Sequence, residues 1–263
     1  MNNPYMPRPY TLLATQKETE IDSTFVFEAK EQFVGGQFMQ LSLPGVGEAP
    51  ISISDFDADT LTMTIRKVGR VTDRLFAMKP GETLYMRGPY GNGFKQAWFK
   101  DKDMVVIAGG TGLAPVKNTI DTFISNQSAI KGLQIIVGFK SPKDVLFKDT
   151  LRKWQEQVPM ILTVDQGDDS WPYKVGLIPS HIKDLDLSDV ENKTVILVGP
   201  PMMMKFTTLE LLRLGFAEEN IWVSFERKMS CGIGKCGHCK IDETYVCLEG
   251  PVFNYTKAKT LLD

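Results

Sequence analysis

Residues 104–126 read MVVIAGGTGLAPVKNTIDTFISN, and they are the strongest indication of the fold of the second half of the chain. Its apolar start, MVVIA, is typical of a strand buried on both faces, and it leads straight into a glycine-rich turn. After the turn, apolar residues recur at helical spacing from residue 115 to residue 126. A strand, a glycine turn and a helix in this order predict the opening unit of a parallel, doubly wound sheet.

The same alternation of strands and helices continues to residue 225. Strand-like segments are LQIIVGF (133–139), MILTVDQ (160–166), TVILVGPP (194–201) and NIWVSF (220–225). Helix-like segments are KDTLRKWQEQ (148–157) and MMMKFTTLELLRLG (202–215). This pattern predicts an α/β domain over residues 100–224.

Residues 1–99 have a different sequence pattern, in which short β-rich runs are separated by turn formers such as PGVG and KPG. The runs are FVFEA (25–29), FMQLSL (38–43), APISIS (49–54), TLTMTI (60–65) and ETLYMR (82–87). Close spacing with turns is typical of an antiparallel barrel or sandwich. We therefore expect a separate β domain before the α/β domain.

The composition excludes several classes of protein. The 263 residues include 30 basic and 32 acidic side chains, so a net charge of −2 predicts no nucleic-acid or anionic-membrane surface. The N-terminal sequence MNNPYMPRPYTLL lacks the features of a signal peptide, and the longest apolar stretch is too short to span a bilayer. Together with the absence of scattered cysteine pairs, this predicts a cytoplasmic protein.

All four cysteines lie within residues 231–247, which read CGIGKCGHCKIDETYVC. The spacing C-x4-C-x2-C followed by a fourth cysteine is that of plant-type 2Fe–2S proteins. Glycines in the loop let the backbone curl around a cluster and direct amides at its sulfurs. We therefore predict a C-terminal segment, 225–263, that binds a 2Fe–2S cluster through Cys231, Cys236, Cys239 and Cys247.

Other uses of these cysteines are weaker alternatives. A zinc site usually has two C-x2-C pairs, and here only Cys236 and Cys239 are so spaced. A Rieske centre needs two histidine ligands, but His238 has only the distant His181 as a companion. If all four thiols hold one cluster, none is left for a second cluster or a haem, so electrons that reach the cluster must leave the chain.

Two glycine-rich junctions in the α/β domain are candidate phosphate sites. Gly109, Gly110 and Gly112 precede a helix whose first amides could bind a diphosphate, although such a turn can also be purely structural. The second junction, VGPPMMMK (198–205), follows a later strand, and ligands of open α/β sheets bind where such strand ends gather. The methionines at 202–204 could equally be core residues.

The β domain has three further motifs, APISIS (49–54), RKVGRVT (66–72) and GPYGNGF (88–94). Each could be ordinary hairpin chemistry, and the basic residues Arg66, Lys67 and Arg70 could bind phosphate. Neither G-x-S-x-G nor H-E-x-x-H occurs in the chain. With two histidines only, we expect carried cofactors to supply the reactivity.

Taken together, these motifs resemble the ferredoxin–NADP reductase superfamily, and within it the branch that contains the electron-transfer subunits of dihydroorotate dehydrogenase and of anaerobic sulfite reductase. The likeness covers essentially the whole chain and is closer to the sulfite reductase member. It is carried by GGQF (35–38), GEAPISISD (47–55), RKVGRVT, GPYGNGF, AGGTGLAPVK (108–117), VGPPMMM (198–204), WVSFERKMSCGIGKCGHC (222–239) and YVCLEGPVFNY (245–255).

The resemblance implies a Greek-key β-barrel that binds FAD, an α/β domain that binds a nicotinamide dinucleotide, and a C-terminal 2Fe–2S loop. The flavin contacts that it implies are Pro50, Ile51, Ser52, Ile53, Arg66, Gly69, Val71, Thr72, Gly91 and Asn92. The nicotinamide contacts that it implies are Gly110, Thr111, Gly112, Gly199, Pro200 and Pro201. Glu226 and Met229 match residues that precede the cluster in this branch.

Two positions depart from the superfamily pattern. The arginine that usually pairs with the flavin diphosphate is replaced by Ala49, and the usual aromatic residue two positions later is Ile51. These changes leave FMN open as an alternative to FAD. Lys140 and Ser141 could tolerate a 2′-phosphate, whereas the resemblance favours NADH over NADPH.

The resemblance implies an oxidoreductase subunit that oxidises NADH and passes single electrons through FAD and the 2Fe–2S cluster to a partner. The partner that it implies is a sulfite reductase, with a sirohaem-containing subunit and a ferredoxin-like 4Fe–4S subunit, which reduces sulfite to sulfide. The alternative partners are a dihydroorotate dehydrogenase or a hydrogenase-type complex. An alternative of another class is a zinc-stabilised nucleotide-binding regulator without redox turnover.

Overall fold

The computed structural model describes residue 3 and residues 5–261, which divide into two compact units. One unit holds the described residues up to Phe94 together with Phe225–Val252. The other holds Lys95–Ser224 together with the described residues from Phe253 onward. In the described part of the chain, no helix is both long enough and apolar enough to cross a membrane.

The first unit is built on an antiparallel sheet. Its strands are β1 (Arg8–Lys17), β2 (Asp22–Glu28), β3 (Phe38–Leu43), β4 (Gly47–Ser52), β5 (Asp55–Phe56), β6 (Thr60–Arg66) and β7 (Thr83–Tyr90). They follow the order β4-β3-β7-β1-β2-β6-β5, and one short helix, α1 (Arg70–Phe76), connects β6 to β7. Neighbouring strands run antiparallel, as their registers show.

The link between β4 and β5 curls this sheet into a barrel. These two strands lie at opposite ends of the strand order, yet only Ile53 and Ser54 separate them along the chain. The Ile53 amide donates to Gln37 beside β3, and the Ser54 amide donates to Thr62 of β6. Two adjacent residues thus join the two edges of the sheet, which leaves fewer edge groups open to unwanted pairing.

Alternate side chains of the barrel strands meet in one apolar core, because successive residues of a strand point to opposite faces. Its fully buried members include Leu12, Phe27, Met39, Leu41, Ile53, Leu61, Met63, Leu75, Leu84 and Met86. Burying a large apolar side chain of this kind contributes about 1.5–3 kcal/mol. The barrel is therefore held by its interior, and its outer face is available to bind other groups.

The second unit contains the alternating strands and helices. Its strands are β8 (Asp103–Gly109), β9 (Gly132–Phe139), β10 (Met160–Val164), β11 (Lys174–Val175), β12 (Lys193–Val198) and β13 (Ile221–Ser224). The helices are α2 (Ala114–Ser125), α3 (Lys148–Gln155), α4 (Ile178–His181) and α5 (Pro201–Arg213). The paired strands β8 to β13 run parallel, as crossover helices require.

The C-terminal segment adds small elements to both units. They are β14 (Lys240–Ile241), β15 (Thr244–Tyr245), α6 (Val246–Glu249), β16 (Val252–Asn254) and α7 (Tyr255–Ala258). The hairpin β14–β15 and helix α6 belong to the barrel unit and carry the end of the cysteine loop. Helix α7 belongs to the α/β unit, where Lys259 pairs with Glu218.

The parallel sheet changes direction at its centre. The strand order is β11-β10-β9-β8-β12-β13-β16, so the chain moves outward from β8 to one side and then returns to β12 on the other. Neighbouring strands whose connections leave in opposite directions open a crevice at their carboxyl ends. In this unit the crevice lies between the ends of β8 and β12.

The predicted fold class, an antiparallel barrel followed by a parallel doubly wound sheet and a cysteine loop, is confirmed. Sequence reasoning did not identify β1, because only Tyr10 and Leu12 face the core in a strand that is otherwise largely exposed. It also predicted no helix after β6, where the structure has helix α1 (Arg70–Phe76).

Candidate redox and nucleotide-binding sites

The four cysteines form two pairs in the barrel unit. The side chains of Cys231 and Cys236 lie close enough to interact, and so do those of Cys239 and Cys247. Three of the thiols are buried, and Cys236 is exposed. A 2Fe–2S cluster takes four cysteines, two for each iron, so two neighbouring pairs suit such a cluster.

Backbone amides surround the sulfurs of this loop. The Sγ of Cys231 accepts from the amides of Ile233 (3.5 Å), Lys235 (3.3 Å) and Cys236 (3.4 Å). In addition, the Gly234 amide donates to Cys247 at 3.2 Å and the His238 amide donates to Cys236 at 3.4 Å. Amides directed at sulfur favour the thiolate, which is the form that binds metal.

The thiols of the two pairs respond differently to their surroundings. Burial acts to raise the pKa of Cys231, but the amides of Ile233, Cys236 and Lys235 outweigh it and bring the pKa to about 6. Burial and the hydrogen bond with Cys239 raise the pKa of Cys247 to about 12. The loop therefore favours a thiolate at Cys231, and a bound cation would be needed to favour one at Cys247.

The described residues contain no group of three or more His, Cys, Asp or Glu side chains that could hold a single metal ion. A two-iron cluster spreads its ligands over two centres. The paired thiols and the amides that face them fit a cluster of that kind. Cys231, Cys236, Cys239 and Cys247 are the residues that would hold it.

Two glycines of the loop are required by close packing. Gly232 has φ +73°, and a Cβ atom placed on it would lie 2.6 Å from the ring of Tyr90. Gly234 has φ +67°, and a Cβ atom there would overlap Leu248. These positions combine a left-handed backbone with a close neighbour, so only glycine fits them.

An arginine of the barrel that sequence reasoning missed holds the start of the loop. Arg87 of β7 donates through Nη1 to the carbonyl of Cys231 and through Nη2 to the carbonyl of Ser230, each at 2.5 Å. Its side chain also donates to both carboxylate oxygens of Glu48 at 3.0 Å and 2.5 Å. Because 144 residues separate Arg87 from Cys231, no local sequence pattern could have predicted this contact.

Gly91 and Asn92, which we predicted near the flavin, anchor the segment that follows the last cysteine. The Asn92 side chain donates to the carbonyls of Glu249 (2.7 Å) and Val252 (2.8 Å) and accepts from the Val252 amide. A Cβ atom on Gly91 would lie 2.6 Å from Pro251. The GPYGNGF motif thus attaches the cysteine segment to the barrel, and its role toward a flavin stays a prediction.

The predicted flavin segment divides between the two faces of β4. Ile51 pairs with Met39 and packs against the core, and Ile53 is fully buried in it. Pro50 and Ser52 therefore lie on the outer face, where Pro50 is the register partner of Gln40. Of this segment, Pro50 and Ser52 are the residues whose side chains could face a ligand outside the barrel.

The predicted phosphate residues of the barrel have local structural partners. Arg66 donates from Nε to one carboxylate oxygen of the buried Asp22 at 2.9 Å and from Nη2 to the other at 3.1 Å. The Thr72 hydroxyl accepts from the amide of Gly69 and donates to its carbonyl, which caps helix α1. Val71 is half-buried on the first turn of that helix. Flavin contacts at Arg66, Gly69, Val71 and Thr72 stay predictions.

In the α/β unit the two glycine junctions meet. Gly110, Thr111 and Gly112 form a short 3₁₀ turn that joins β8 to α2. A Cβ atom on Gly112 would lie 2.7 Å from the Cα of Gly199, at the end of the neighbouring strand β12. The structure therefore brings these predicted nicotinamide contacts together at the crevice of the sheet.

Helix α5 begins directly after Gly199 with Pro200 as its N-cap and Pro201 at its first position. Both prolines are exposed. Of the methionines that follow, Met203 packs beneath Gly109 and Gly199, Met204 is buried and Met202 is 61% exposed. Part of the methionine run thus packs under the glycine junctions, and Met202 lies on the surface.

A cavity of about 270 Å³ lies beside the carboxyl end of β10. Its walls include Trp171 and Tyr173, whose rings are 5.1 Å apart, and the basic side chains of Lys148 and Arg152. An aromatic wall with nearby positive charge suits a flat base that carries phosphate. Sequence analysis did not predict this cavity, because the loop after β10 has no recognisable motif.

Two family models match the regions just described. One, described as an oxidoreductase NAD-binding domain, matches residues 106–208, which hold both glycine junctions. The other, described as the iron–sulfur cluster binding domain of dihydroorotate dehydrogenase B, matches residues 226–259 and includes all four cysteines. The predictions of a nicotinamide-binding domain and an iron–sulfur segment are confirmed at this level.

Curated relatives match nearly the whole chain. Sulfhydrogenase 1 subunit gamma of Pyrococcus furiosus is 36% identical, and the match covers 97% of this chain and 92% of that protein. A probable dihydroorotate dehydrogenase B (NAD(+)) electron transfer subunit of the same organism is 34% identical, over 88% of this chain and 83% of that protein. Both relatives are subunits of larger enzymes.

Solved structures share the fold. An NADH-dependent reduced ferredoxin–NADP oxidoreductase superposes with a TM-score of 0.78 at 21% identity, over 96% of this chain and 92% of that chain. A ferredoxin NADP+ reductase from Neisseria gonorrhoeae with bound FAD and NADP superposes with a TM-score of 0.70 at 20% identity, over 83% of this chain and 98% of that chain. The barrel and the parallel sheet are thus the two halves of a ferredoxin–NADP reductase-like fold.

Proposed function

The chain belongs to the family of electron-transfer subunits that includes the gamma subunit of sulfhydrogenase and the electron-transfer subunit of dihydroorotate dehydrogenase B, and on this basis we propose that it oxidises NADH and delivers single electrons to the catalytic subunit of a hydrogenase-type complex. When bound, FAD would convert the two-electron chemistry of NADH into one-electron steps, which a 2Fe–2S cluster can accept.

The observation that carries this proposal is the geometry of the cysteine loop. Four thiols lie in two pairs beneath backbone amides, which suits thiolate ligands of a two-iron cluster. Of the four, Cys236 alone is exposed. We assign to Cys236 the side of the cluster from which electrons leave the chain, because electron transfer between proteins requires the donor to lie near the surface.

The nicotinamide cofactor would bind at the junctions that meet at Gly112 and Gly199. Gly110 and Thr111 of the 3₁₀ turn are partly exposed at this junction, and their backbone amides would contact the diphosphate. The cavity next to Trp171 and Tyr173 would take the base at the other end of the dinucleotide. These residues orient the cofactor, and no side-chain proton transfer is required of them.

The flavin would bind the barrel through Pro50 and Ser52, on the outer face of β4. Because Ala49 stands where a diphosphate-binding arginine is usual and Arg66 pairs with Asp22, backbone amides would have to provide more of the phosphate contacts. FAD remains our proposal over FMN on the basis of the fold shared with an FAD-bound reductase.

The identity of the partner is the most specific part of the proposal. The identity to a sulfhydrogenase gamma subunit over 97% of this chain favours a hydrogenase-type partner. Dihydroorotate dehydrogenase is the second candidate, because a model of its iron–sulfur domain matches the cysteine segment. The sulfite reductase partner, with its sirohaem and 4Fe–4S subunits, stays a prediction from the resemblance of the sequence.

The test is to purify the tagged protein anaerobically with its native partners and to supply NADH to the intact complex. Hydrogen evolution would support the hydrogenase-type partner, and NADH-dependent sulfide formation from sulfite would support the sulfite reductase instead. Reduction of NAD+ that depends on dihydroorotate would support a dihydroorotate dehydrogenase partner. A complex that performs none of these reactions contradicts all three partner assignments.

The route through the cluster is tested with Cys236→Ser in the same complex. We expect this variant to lose delivery to the partner while it still reduces its own flavin with NADH. Asp242→Asn is a matched control, since Asp242 lies exposed in the same loop at φ +46°, a conformation that asparagine tolerates. If Cys236→Ser still delivered electrons to the partner at the full rate, the cluster would not lie on the route of electron transfer.

A further inference from the structure

We propose that Arg87, held in place by Glu48, positions the first cysteine of the cluster loop and supplies a fixed positive charge that raises the reduction potential of the cluster. This inference rests on the proposed binding of an iron–sulfur cluster by this chain. It assigns to the barrel a direct part in setting the properties of the redox centre.

Burial and hydrogen bonds fix the guanidinium group of Arg87 in place. The residue is only 5% exposed, and its three guanidinium nitrogens all donate hydrogen bonds to described residues. Two of these bonds reach the carbonyls of Ser230 and Cys231, and the others reach Glu48. Hydrogen bonds from a charged donor are stronger than neutral ones, so the start of the loop is fixed to strand β7.

Arg87 also holds the aromatic ring against which the loop packs. Its Nη1 lies 3.4 Å from the Tyr90 hydroxyl, and its guanidinium lies 5.9 Å from the centre of the Tyr90 ring. That ring is the group that a side chain at position 232 would strike. One arginine therefore fixes both the backbone of the first ligand and the surface beneath it.

The outer face of the barrel beside Arg87 has a second buried polar group. Gln40 is the register partner of Arg87 on β3, so their side chains share one face of the sheet. Gln40 is fully buried, and neither its Nε2 nor its Oε1 has a hydrogen-bond partner among the described residues. Buried polar groups are usually hydrogen-bonded, so the Gln40 amide is an exception on this face of the barrel.

Arg87 stays charged at all relevant pH values. The hydrogen bond to Glu48 holds the pKa of the guanidinium above its already high range, although burial opposes this. The same contact lowers the pKa of Glu48. The pair therefore places a permanent positive charge next to the loop, and the more exposed Glu48 lies behind it and offsets part of that charge.

The two charges act on the cluster in opposite directions. A cluster gains one negative charge when it is reduced, so a nearby positive charge favours the reduced form and a nearby negative charge disfavours it. Replacing Arg87 by a neutral residue should therefore lower the potential. Replacing Glu48 by glutamine should raise it, because glutamine retains an oxygen that can accept from Arg87 but lacks the negative charge.

The experiment is an anaerobic redox titration of the full chain, followed by the electron paramagnetic resonance signal of the reduced cluster. The variants are Arg87→Met, Arg87→Lys and Glu48→Gln, and iron and labile sulfide are measured in each. We expect the ratio of reduced to oxidised cluster at a fixed potential to fall about tenfold in Arg87→Met, a downward shift of about 59 mV for a one-electron couple. Arg87→Lys should remain closer to the wild-type value, and Glu48→Gln should shift upward.

The opposite signs separate an electrostatic role from a purely structural one. If Arg87→Met and Glu48→Gln shift the potential in the same direction, or if neither shifts it, the inference is wrong. If Arg87→Met assembles no cluster, the upward shift of Glu48→Gln still decides the question. A wild-type chain that binds no iron–sulfur cluster would instead contradict the proposed function itself.

Discussion

Alanine substitutions at Gly232 and Gly237 provide a matched test of how the cluster loop is fixed to the barrel. Both glycines have φ +73°, so alanine should incur the same backbone strain at each. They differ in their surroundings, because a Cβ atom on Gly232 would lie 2.6 Å from the ring of Tyr90, whereas one on Gly237 would meet nothing within 4 Å. The difference between the two variants therefore isolates the contact with Tyr90.

The expected magnitudes follow from these two terms. A non-glycine residue in the left-handed region costs about 1–2 kcal/mol, and this applies to both variants. Overpacking adds about 1–3 kcal/mol at Gly232 only. The Tyr90 ring cannot easily move aside, because its hydroxyl lies 3.4 Å from the Arg87 guanidinium and its ring packs against Phe38, with centroids 5.7 Å apart. Gly232→Ala should thus be the less stable variant by about 1–3 kcal/mol.

The assay compares the two purified variants with wild type under anaerobic conditions. Iron and labile sulfide report how much cluster is retained, and visible circular dichroism reports its environment. The rate at which a chelator removes iron reports how often the loop opens. We expect Gly237→Ala to retain nearly all of its cluster and Gly232→Ala to lose iron at least about fivefold faster, since 1 kcal/mol is a factor of about five.

Indistinguishable behaviour of the two variants would refute this reasoning. It would mean that the Tyr90 ring yields without cost, or that the loop is not packed against the barrel. A second variant, Tyr90→Leu, separates these cases, because it removes the ring and should restore much of the loss in Gly232→Ala if the steric contact is its cause.

The remaining predictions concern other parts of the chain. Gly112→Ala should raise the KM for NADH at least about fivefold in a flavin-reduction assay, because its Cβ would lie 2.7 Å from the Gly199 backbone and overpacking costs about 1–3 kcal/mol. An unchanged KM would contradict the proposed nucleotide site at this junction. Asn92→Ala removes three hydrogen bonds and should destabilise the attachment of the cysteine segment by about 1–3 kcal/mol. We expect faster hydrogen exchange of residues 249–252, and unchanged exchange would contradict the anchoring role of Asn92. Asp103→Asn should lower the unfolding temperature, because it leaves the buried Lys193 without its ion-pair partner. The KM for NADH should not change in that variant, since the pair lies at the opposite end of the strands; a changed KM at an unchanged unfolding temperature would contradict this.

Local patterns were sufficient to predict the fold class and the cysteine loop. The strand FMQLSL is observed with the predicted bounds as β3, and the predicted strand LQIIVGF differs from β9 by one residue at its start. The cysteine spacing and the glycine junctions could be read directly, because each depends on residues that are close together in the sequence. The rule that ligands bind at the carboxyl ends of strands placed both glycine junctions at one edge of the sheet, and the close approach of Gly112 to Gly199 is a finding of the structure.

Long-range contacts could not be predicted in the same way. Arg87 reads as an ordinary residue at the end of a strand, and only the folded chain brings its guanidinium to Ser230 and Cys231. The GPYGNGF motif was compatible with a hairpin or a flavin contact, and neither reading predicted that its Asn92 attaches a segment about 160 residues later. The Thr72 hydroxyl caps α1 through the backbone of Gly69, a contact that the sequence analysis did not predict, and its flavin role stays a prediction. In each case the side chain has the expected chemistry, and its partner is set by tertiary packing.

The most direct test of the account is an anaerobic titration of the purified chain with NADH, followed by visible absorbance and low-temperature electron paramagnetic resonance in the same samples. We predict that NADH bleaches the flavin and also produces the signal of a reduced 2Fe–2S cluster, and that this signal is lost in Cys236→Ser while the bleaching remains. Flavin bleaching without a cluster signal in the wild-type chain would contradict the account, as would a cluster signal that persists unchanged in the variant.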